Sequence, residues 1–148
     1  YPLRVDEDEL KESASRIKKS DRDILRGMIR NVASYHKLQG GRPRTYRRKG
    51  LEVKETFVPV ENALVYVPGG KAAYPSSLIM GVVPAQIAGV KNIFVATPTL
   101  DGTLNPYVSA ACVLLEVKDV YRIGGAQARS GKSARPVYLV LFVAEASH

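Results

Sequence analysis

The stretch NALVYVPGGKAAYPSSLIMGVVPAQIAGVKNIFVAT, residues 62–97, decides the fold. Its first six residues are almost uniformly apolar, which is typical of a strand covered on both faces. A Pro-Gly-Gly turn comes next, and the apolar segment 76–90 then predicts a buried helix with a kink at Pro84. Residues 91–97 again have the composition of a buried strand. This order predicts two parallel strands joined by a crossover helix.

The same alternation continues downstream. Pro106 suits the first turn of a helix over 106–116, and VKDVYRIGG at 117–125 predicts a third buried strand. We therefore predict an α/β fold, a partial doubly wound (Rossmann-like) parallel sheet, preceded by an N-terminal helical segment. In such sheets ligands bind beyond the carboxyl ends of the strands. Here those ends carry PGGKAAYPSS, TPTLDG and GGAQA, and glycine pairs in two of them allow a ligand close to the backbone.

Upstream, residues 5–39 predict two helices. Asp6 with Glu9 forms a capping box for the first, and Ser20 with Asp23 forms one for the second. The segment GGRPRTYRRKG, 40–50, contains five basic residues and no acid. It predicts a solvated loop, or alternatively a loop that binds phosphate or nucleic acid. The alternating LEVKETFVPV that follows predicts a strand.

Composition limits the function classes. The chain has 148 residues, a formal charge of +8, one cysteine and two histidines. No apolar run reaches the roughly 20 residues of a membrane span, and a lone cysteine fits the reducing cytoplasm. Zinc bound by thiolates or imidazoles is not expected within this chain, and Cys112, inside an apolar helix, predicts a buried and inert thiol. The common glycine-rich signatures for dinucleotides and for nucleoside triphosphates are both absent.

Two segments carry a resemblance to a known family. YVPGGKAAYPSSLIMGVVPAQIAGVKNIFVATP, 66–98, followed by DVYRIGGAQA, 119–128, resembles the histidinol dehydrogenase family. The resemblance implies oxidation of L-histidinol to L-histidine through an aldehyde, in histidine biosynthesis, with two molecules of NAD and a bound zinc ion. It also implies that Tyr66 and Gln127 contact NAD. The alternatives are that Tyr66 is a core aromatic residue and that Gln127 starts a helix without binding a ligand.

The resemblance stops after residue 128. The family continues with a zinc-binding and catalytic part that the tail RSGKSARPVYLVLFVAEASH does not resemble. We therefore expect an incomplete fragment with no catalytic and no metal-binding residue of its own. Two alternatives remain open. One is a non-catalytic module that binds a dinucleotide or, less in keeping with the sequence, nucleic acid; the other is a family relative that oxidises another small alcohol.

The expected organisation has three regions. Residues 1–50 contain the helices and the basic loop, 51–128 form an α/β region of the NAD-binding type, and 129–148 form a divergent tail with one strand-like run, PVYLVLFV. Three strands and a tail strand leave apolar sheet edges, which favour association between chains. Together with the resemblance, this predicts a cytoplasmic homodimer that acts on a small molecule, histidinol, and has no membrane partner.

Overall fold

The computed structural model describes residues 2–69, 73–99 and 102–124, and the backbone of 138–141. A four-stranded sheet and a separate two-stranded hairpin combine with four helices. The elements in chain order are α1 (Glu7–Ser15), α2 (Lys19–Lys37), β1 (Arg44–Arg48), β2 (Leu51–Glu55), β3 (Asn62–Tyr66), α3 (Pro75–Ile87), β4 (Asn92–Ala96), α4 (Pro106–Leu114), β5 (Asp119–Tyr121) and β6 (Tyr138–Leu141).

The four-stranded sheet is parallel throughout, with strand order β5-β4-β3-β6. The chain steps from β3 to β4 to β5 in one direction and places β6 on the opposite side of β3. The strand order therefore reverses between β3 and β6, as it does in doubly wound sheets. These findings confirm the predicted α/β fold, and the tail strand joins the same sheet.

One face of this sheet builds the hydrophobic core. Val65, Val95 and Val120 lie in one row across β3, β4 and β5, and each is at most 1% exposed. They share a core cluster with apolar residues from all four helices. The helix α1 packs on α4 and α2 packs on α3, so the N-terminal helices belong to the same core as the sheet.

The N-terminal segment covers one edge of the sheet. The amide of Val5 donates to the carbonyl oxygen of Val120 at 2.9 Å, and the amide of Arg122 donates to that of Leu3 at 2.8 Å. The outer edge of β5 is therefore already hydrogen-bonded along these residues. The expectation of exposed apolar edges is wrong for this edge, because residues 3–5 pair with it and carry no strand pattern from which this could be predicted.

The predicted basic loop is also wrong in part. Residues Arg44–Arg48 form a strand that pairs antiparallel with Leu51–Glu55. Arg47 reaches Glu52 at 2.7 Å, so acids of the second strand neutralise arginines of the first. The turn contains Gly50 with a φ of 78°. The region boundary that we expected after residue 50 coincides with this turn, between the two strands of the hairpin.

The two capping boxes fare differently. The first is confirmed only as an N-cap: Asp6 caps α1 and its carboxylate accepts from the amide of Glu7 at 2.7 Å, whereas the side chain of Glu9 pairs with Arg122. The second capping box is wrong: α2 begins at Lys19, and Ser20 lies inside the helix, where its hydroxyl donates to the Asp21 carboxylate at 3.4 Å. The N-terminus of α2 therefore has no side-chain cap.

Candidate functional site

Tyr66 lies at the carboxyl edge of the sheet, at the point where strand order reverses. It is the last residue of β3 and is half-buried. Its register partner on β4 is Ala96, which is in turn the partner of Tyr121 at the end of β5, so the three side chains share one face. Ala96 contributes only a methyl group between two phenols. A ligand in a doubly wound sheet binds just outside such a reversal, which makes this edge the candidate site.

The turn after Tyr66 packs against the neighbouring turn. A Cβ placed on Gly69 would lie 2.7 Å from Cγ of Pro98 and would also overlap its carbonyl oxygen. Only glycine fits this approach of two backbone segments. Glycine at position 69 therefore allows contact between two turns of the chain itself. The sequence pattern had suggested that this glycine leaves room for a ligand.

The two helices that begin at this edge differ in how their first turns are capped. The side chain of Asn105 accepts from the amides of Tyr107 at 2.9 Å and Val108 at 3.5 Å at the start of α4. The start of α3 has Tyr74 as its N-cap residue and no side-chain cap. Because uncapped first-turn amides attract anions, the start of α3 is the better place at this edge for a phosphate group.

Arg122 is the residue at this edge that sequence reasoning missed. Its side chain is 4% exposed and forms an ion pair with Glu9 of α1. The Nε atom donates to the carbonyl oxygen of Gly102 at 3.0 Å, and Nη1 donates to that of Pro2 at 2.9 Å. The available signal was a basic residue directly after a buried strand, where a charge needs partners.

Gln127, the second residue expected to contact NAD, lies outside the described residues. His36 is far along the chain from this edge: it is half-buried in the last turn of α2 and lines a groove of about 620 Å³ with Phe57, Pro84 and others. Cys112 is fully buried, and burial raises the pKa of its thiol to about 12. The burial predicted for this thiol is therefore confirmed.

No three histidine, cysteine or acidic side chains come close enough together to hold a metal ion, as far as the described residues go. The described residues therefore do not fit a zinc ion. Within the same residues, no helix combines the length and the apolar character needed to cross a membrane.

Comparisons with known proteins agree on one family. A family model described as histidinol dehydrogenase matches residues 1–130. The chain is similar to histidinol dehydrogenase of Bacillus licheniformis, with 44% identity over 128 residues, and to that of Gluconobacter oxydans, with 40% identity over 127 residues; each alignment covers 85% of this chain and 30% of the relative.

A solved structure gives the same result for the fold. The crystal structure of histidinol dehydrogenase from Elizabethkingia anophelis superposes with a TM-score of 0.81 at 29% sequence identity. The superposition covers 86% of this chain and 30% of that one. The chain thus spans about 30% of the length of the relatives that it matches.

Proposed function

The chain belongs to the histidinol dehydrogenase family, and on this premise we propose that it forms the cofactor-binding part of an enzyme that catalyses the NAD-dependent oxidation of L-histidinol to L-histidine. The observation that carries the proposal is the family match over residues 1–130. This match includes the edge where Tyr66 ends β3 beside the reversal of strand order. NAD, when bound, accepts the hydride that the alcohol gives up.

The residues at this edge would bind and orient the dinucleotide. The phenol of Tyr66 offers a hydrogen bond to a ribose hydroxyl and an aromatic face to a ring. The uncapped first turn of α3 offers backbone amides to the pyrophosphate. By resemblance, the amide of Gln127 supplies a further donor and acceptor. These groups have the chemistry needed to hold a dinucleotide.

The proposal assigns no proton transfer and no metal chemistry to these residues. The described residues contain no cluster that fits zinc, and the Cys112 thiol is buried with a raised pKa of about 12. Because the chain spans about 30% of its relatives, the proposal includes that it is an incomplete part of such an enzyme. The catalytic groups and the zinc ligands then belong to polypeptide beyond these residues.

The proposal also includes a cytoplasmic homodimer. Several large apolar side chains are more than half exposed on α2, at its C-cap and on the segment after β2, among them Leu38 at 84% and Val58 at 82%. Exposed apolar groups of this kind favour burial against a second surface. The single cysteine of the chain fits a reducing compartment.

Within the residues that the structure describes, the basic hairpin does not favour the alternative of nucleic-acid binding. In the basic hairpin Arg47 pairs with Glu52, and Arg44 lies 4.0 Å from Glu55. These carboxylates reduce the positive potential that a phosphate backbone would meet. The alternative of another small alcohol as substrate depends on the residues that contact the alcohol, and the described part of the chain identifies none of them.

The experiment that tests the proposal is calorimetric titration of the full chain with NAD. We expect saturable binding that weakens in Tyr66→Ala and in Gln127→Ala and is kept in part by Tyr66→Phe, which retains the ring. Tyr46→Ala is the matched control, since Tyr46 is a 59% exposed tyrosine on the hairpin. Absence of heat from a folded wild-type chain at millimolar NAD would contradict the proposal.

A further inference from the structure

The Arg122 guanidinium joins four separate segments of the chain. It pairs with Glu9 on α1, and it donates to the carbonyl oxygens of Gly102, in the loop after β4, and Pro2, in the N-terminal segment. The backbone amide of Arg122 donates to the carbonyl oxygen of Leu3. Arg122 comes directly after the last residue of β5. At 4% side-chain exposure, the guanidinium has exchanged most of its hydration for these partners.

The loop after β4 is held at both ends. Pro98, at its start, packs against Gly69 in the turn after Tyr66. At its other end the carbonyl oxygen of Gly102 accepts from Arg122 at 3.0 Å, and that of Leu104 accepts from the hydroxyl of Ser13 at 3.4 Å. Leu104 is itself 2% exposed. The start of the loop is also tied to the chain beside Arg122, because the amide of Thr97 donates to the carbonyl oxygen of Tyr121 at 3.0 Å. Pro98 and Arg122 are therefore linked through their neighbours Thr97 and Tyr121.

We propose that Arg122 is a positioning residue for the candidate dinucleotide site. Its guanidinium ties the loop after β4 to α1 and to the N-terminal segment, and so fixes the wall that Pro98 presents to the turn beside Tyr66. This inference rests on the proposed function where it concerns NAD. Arginine is required because its planar fork points donors in several directions at once, whereas lysine presents all its donors from one atom.

The test combines local hydrogen exchange with NAD titration on the full chain. In Arg122→Met we expect amides of the segment 97–105 to exchange at least tenfold faster, while amides of α3 exchange as in the wild type. The affinity for NAD falls at least tenfold. Arg122→Lys restores the ion pair with Glu9 but only part of the loop contact, so it lies between the two.

Arg4→Met is the matched control. Arg4 lies at the same sheet edge and pairs with Asp119 at 2.9 Å, but its side chain is 61% exposed. We expect less than a twofold change in either measurement.

A smaller variant, Arg122→Ala, adds a readout that general loss of stability would not move: millimolar guanidinium should refill the vacated position and restore NAD affinity in this variant only.

The two proposals fail in distinguishable ways. If the wild type does not bind NAD, the proposed function fails, and the exchange of 97–105 still decides the role of Arg122. If Arg122→Met leaves that exchange unchanged, or accelerates the whole chain uniformly, the positioning role is overturned. Should Arg122→Met not fold, Glu9→Gln replaces it: it keeps the fork and removes its charge partner, so the same local acceleration is expected at smaller size, and its absence overturns the proposal.

Discussion

Gly69 and Pro98 pack so closely that the turns after β3 and β4 behave as one surface. A Cβ on Gly69 would lie 2.7 Å from Cγ and 3.0 Å from the carbonyl carbon of Pro98. The contact joins the turn that follows Tyr66 to the loop that Arg122 holds. The geometry of the candidate site thus depends on backbone contact within the chain before any ligand binds.

Gly69→Ala should destabilise the chain by about 1–3 kcal/mol, because backbone atoms of Pro98 cannot move aside as a side-chain end can. Urea unfolding followed by circular dichroism measures this. The control is Gly27→Ala in α2, where the nearest atom to an added Cβ is Nη2 of Arg30 at 3.8 Å. That change should raise the free energy of unfolding by about 0.5–1 kcal/mol, as alanine does in a helix interior. Equal effects of the two substitutions would contradict the argument.

Glu116→Gly should stabilise the chain. Glu116 follows α4 with a φ of 58°, in the left-handed region, and its amide donates to Val113 at 3.2 Å. The corresponding position after α3 is Gly89, with a φ of 83°. A residue with a Cβ costs about 1 kcal/mol there. Thermal and urea unfolding should show a gain of about this size.

The opposite substitution, Gly89→Ala, provides the comparison for this helix end. It should lower the free energy of unfolding by about 1 kcal/mol, because it places a Cβ in the same backbone conformation. An unchanged or lower stability of Glu116→Gly would show that the Glu116 side chain compensates for its strained backbone.

Cys112 should make stability fall at alkaline pH. Burial among apolar helix residues raises the pKa of its thiol from 9.0 to about 12. The unfolded chain then loses this proton first, so stability that is present below about pH 9 declines as the pH rises toward 12. In Cys112→Ala this contribution is missing. The free energy of unfolding of the variant should therefore fall less steeply than that of the wild type between about pH 8 and 10.

Both chains in that comparison share the same tyrosines and lysines, so their difference isolates the thiol. Parallel pH profiles would contradict a raised pKa. As a second measurement, a thiol reagent should label the native wild type only at the rate at which the chain opens, and rapidly in urea.

The sequence was sufficient for the parallel sheet because β3 and β4 are short apolar runs that flank a continuous helix, a pattern with one common solution. It was not sufficient for the β1–β2 hairpin. Arg44–Arg48 has no apolar alternation, and its pairing depends on Glu52 and Glu55 beyond the turn. Hydrophobic periodicity describes a single segment, whereas the strand β1 forms by pairing with β2.

The same reason explains what was missed at the candidate site. Tyr66 was predicted from the resemblance and from its place at a strand end, and the structure places it at the end of β3. Arg122 has partners at Glu9, Gly102 and Pro2, which are distant in sequence. No local pattern encodes such contacts, because only the folded chain brings four segments to one guanidinium.

Association of the chain should depend on apolar residues at the end of α2 and after β2. Leu38 is 84% exposed and Val58 is 82% exposed, and Val58 lines the same groove as Gln39, the neighbour of Leu38. Burial of this surface against a second copy removes apolar area from water, at about 25 cal/mol for each Å². Light scattering across a dilution series should show a dimer or larger species, and in Leu38→Gln with Val58→Thr this species should dissociate already at a higher protein concentration than in the wild type. Ile24→Gln, 63% exposed nearer the start of α2, is the control and should leave the transition in place. A wild type that is monomeric at every concentration would contradict the proposed homodimer. The exposed apolar side chains are the same at all dilutions, and dilution changes only the mass-action balance between monomer and dimer.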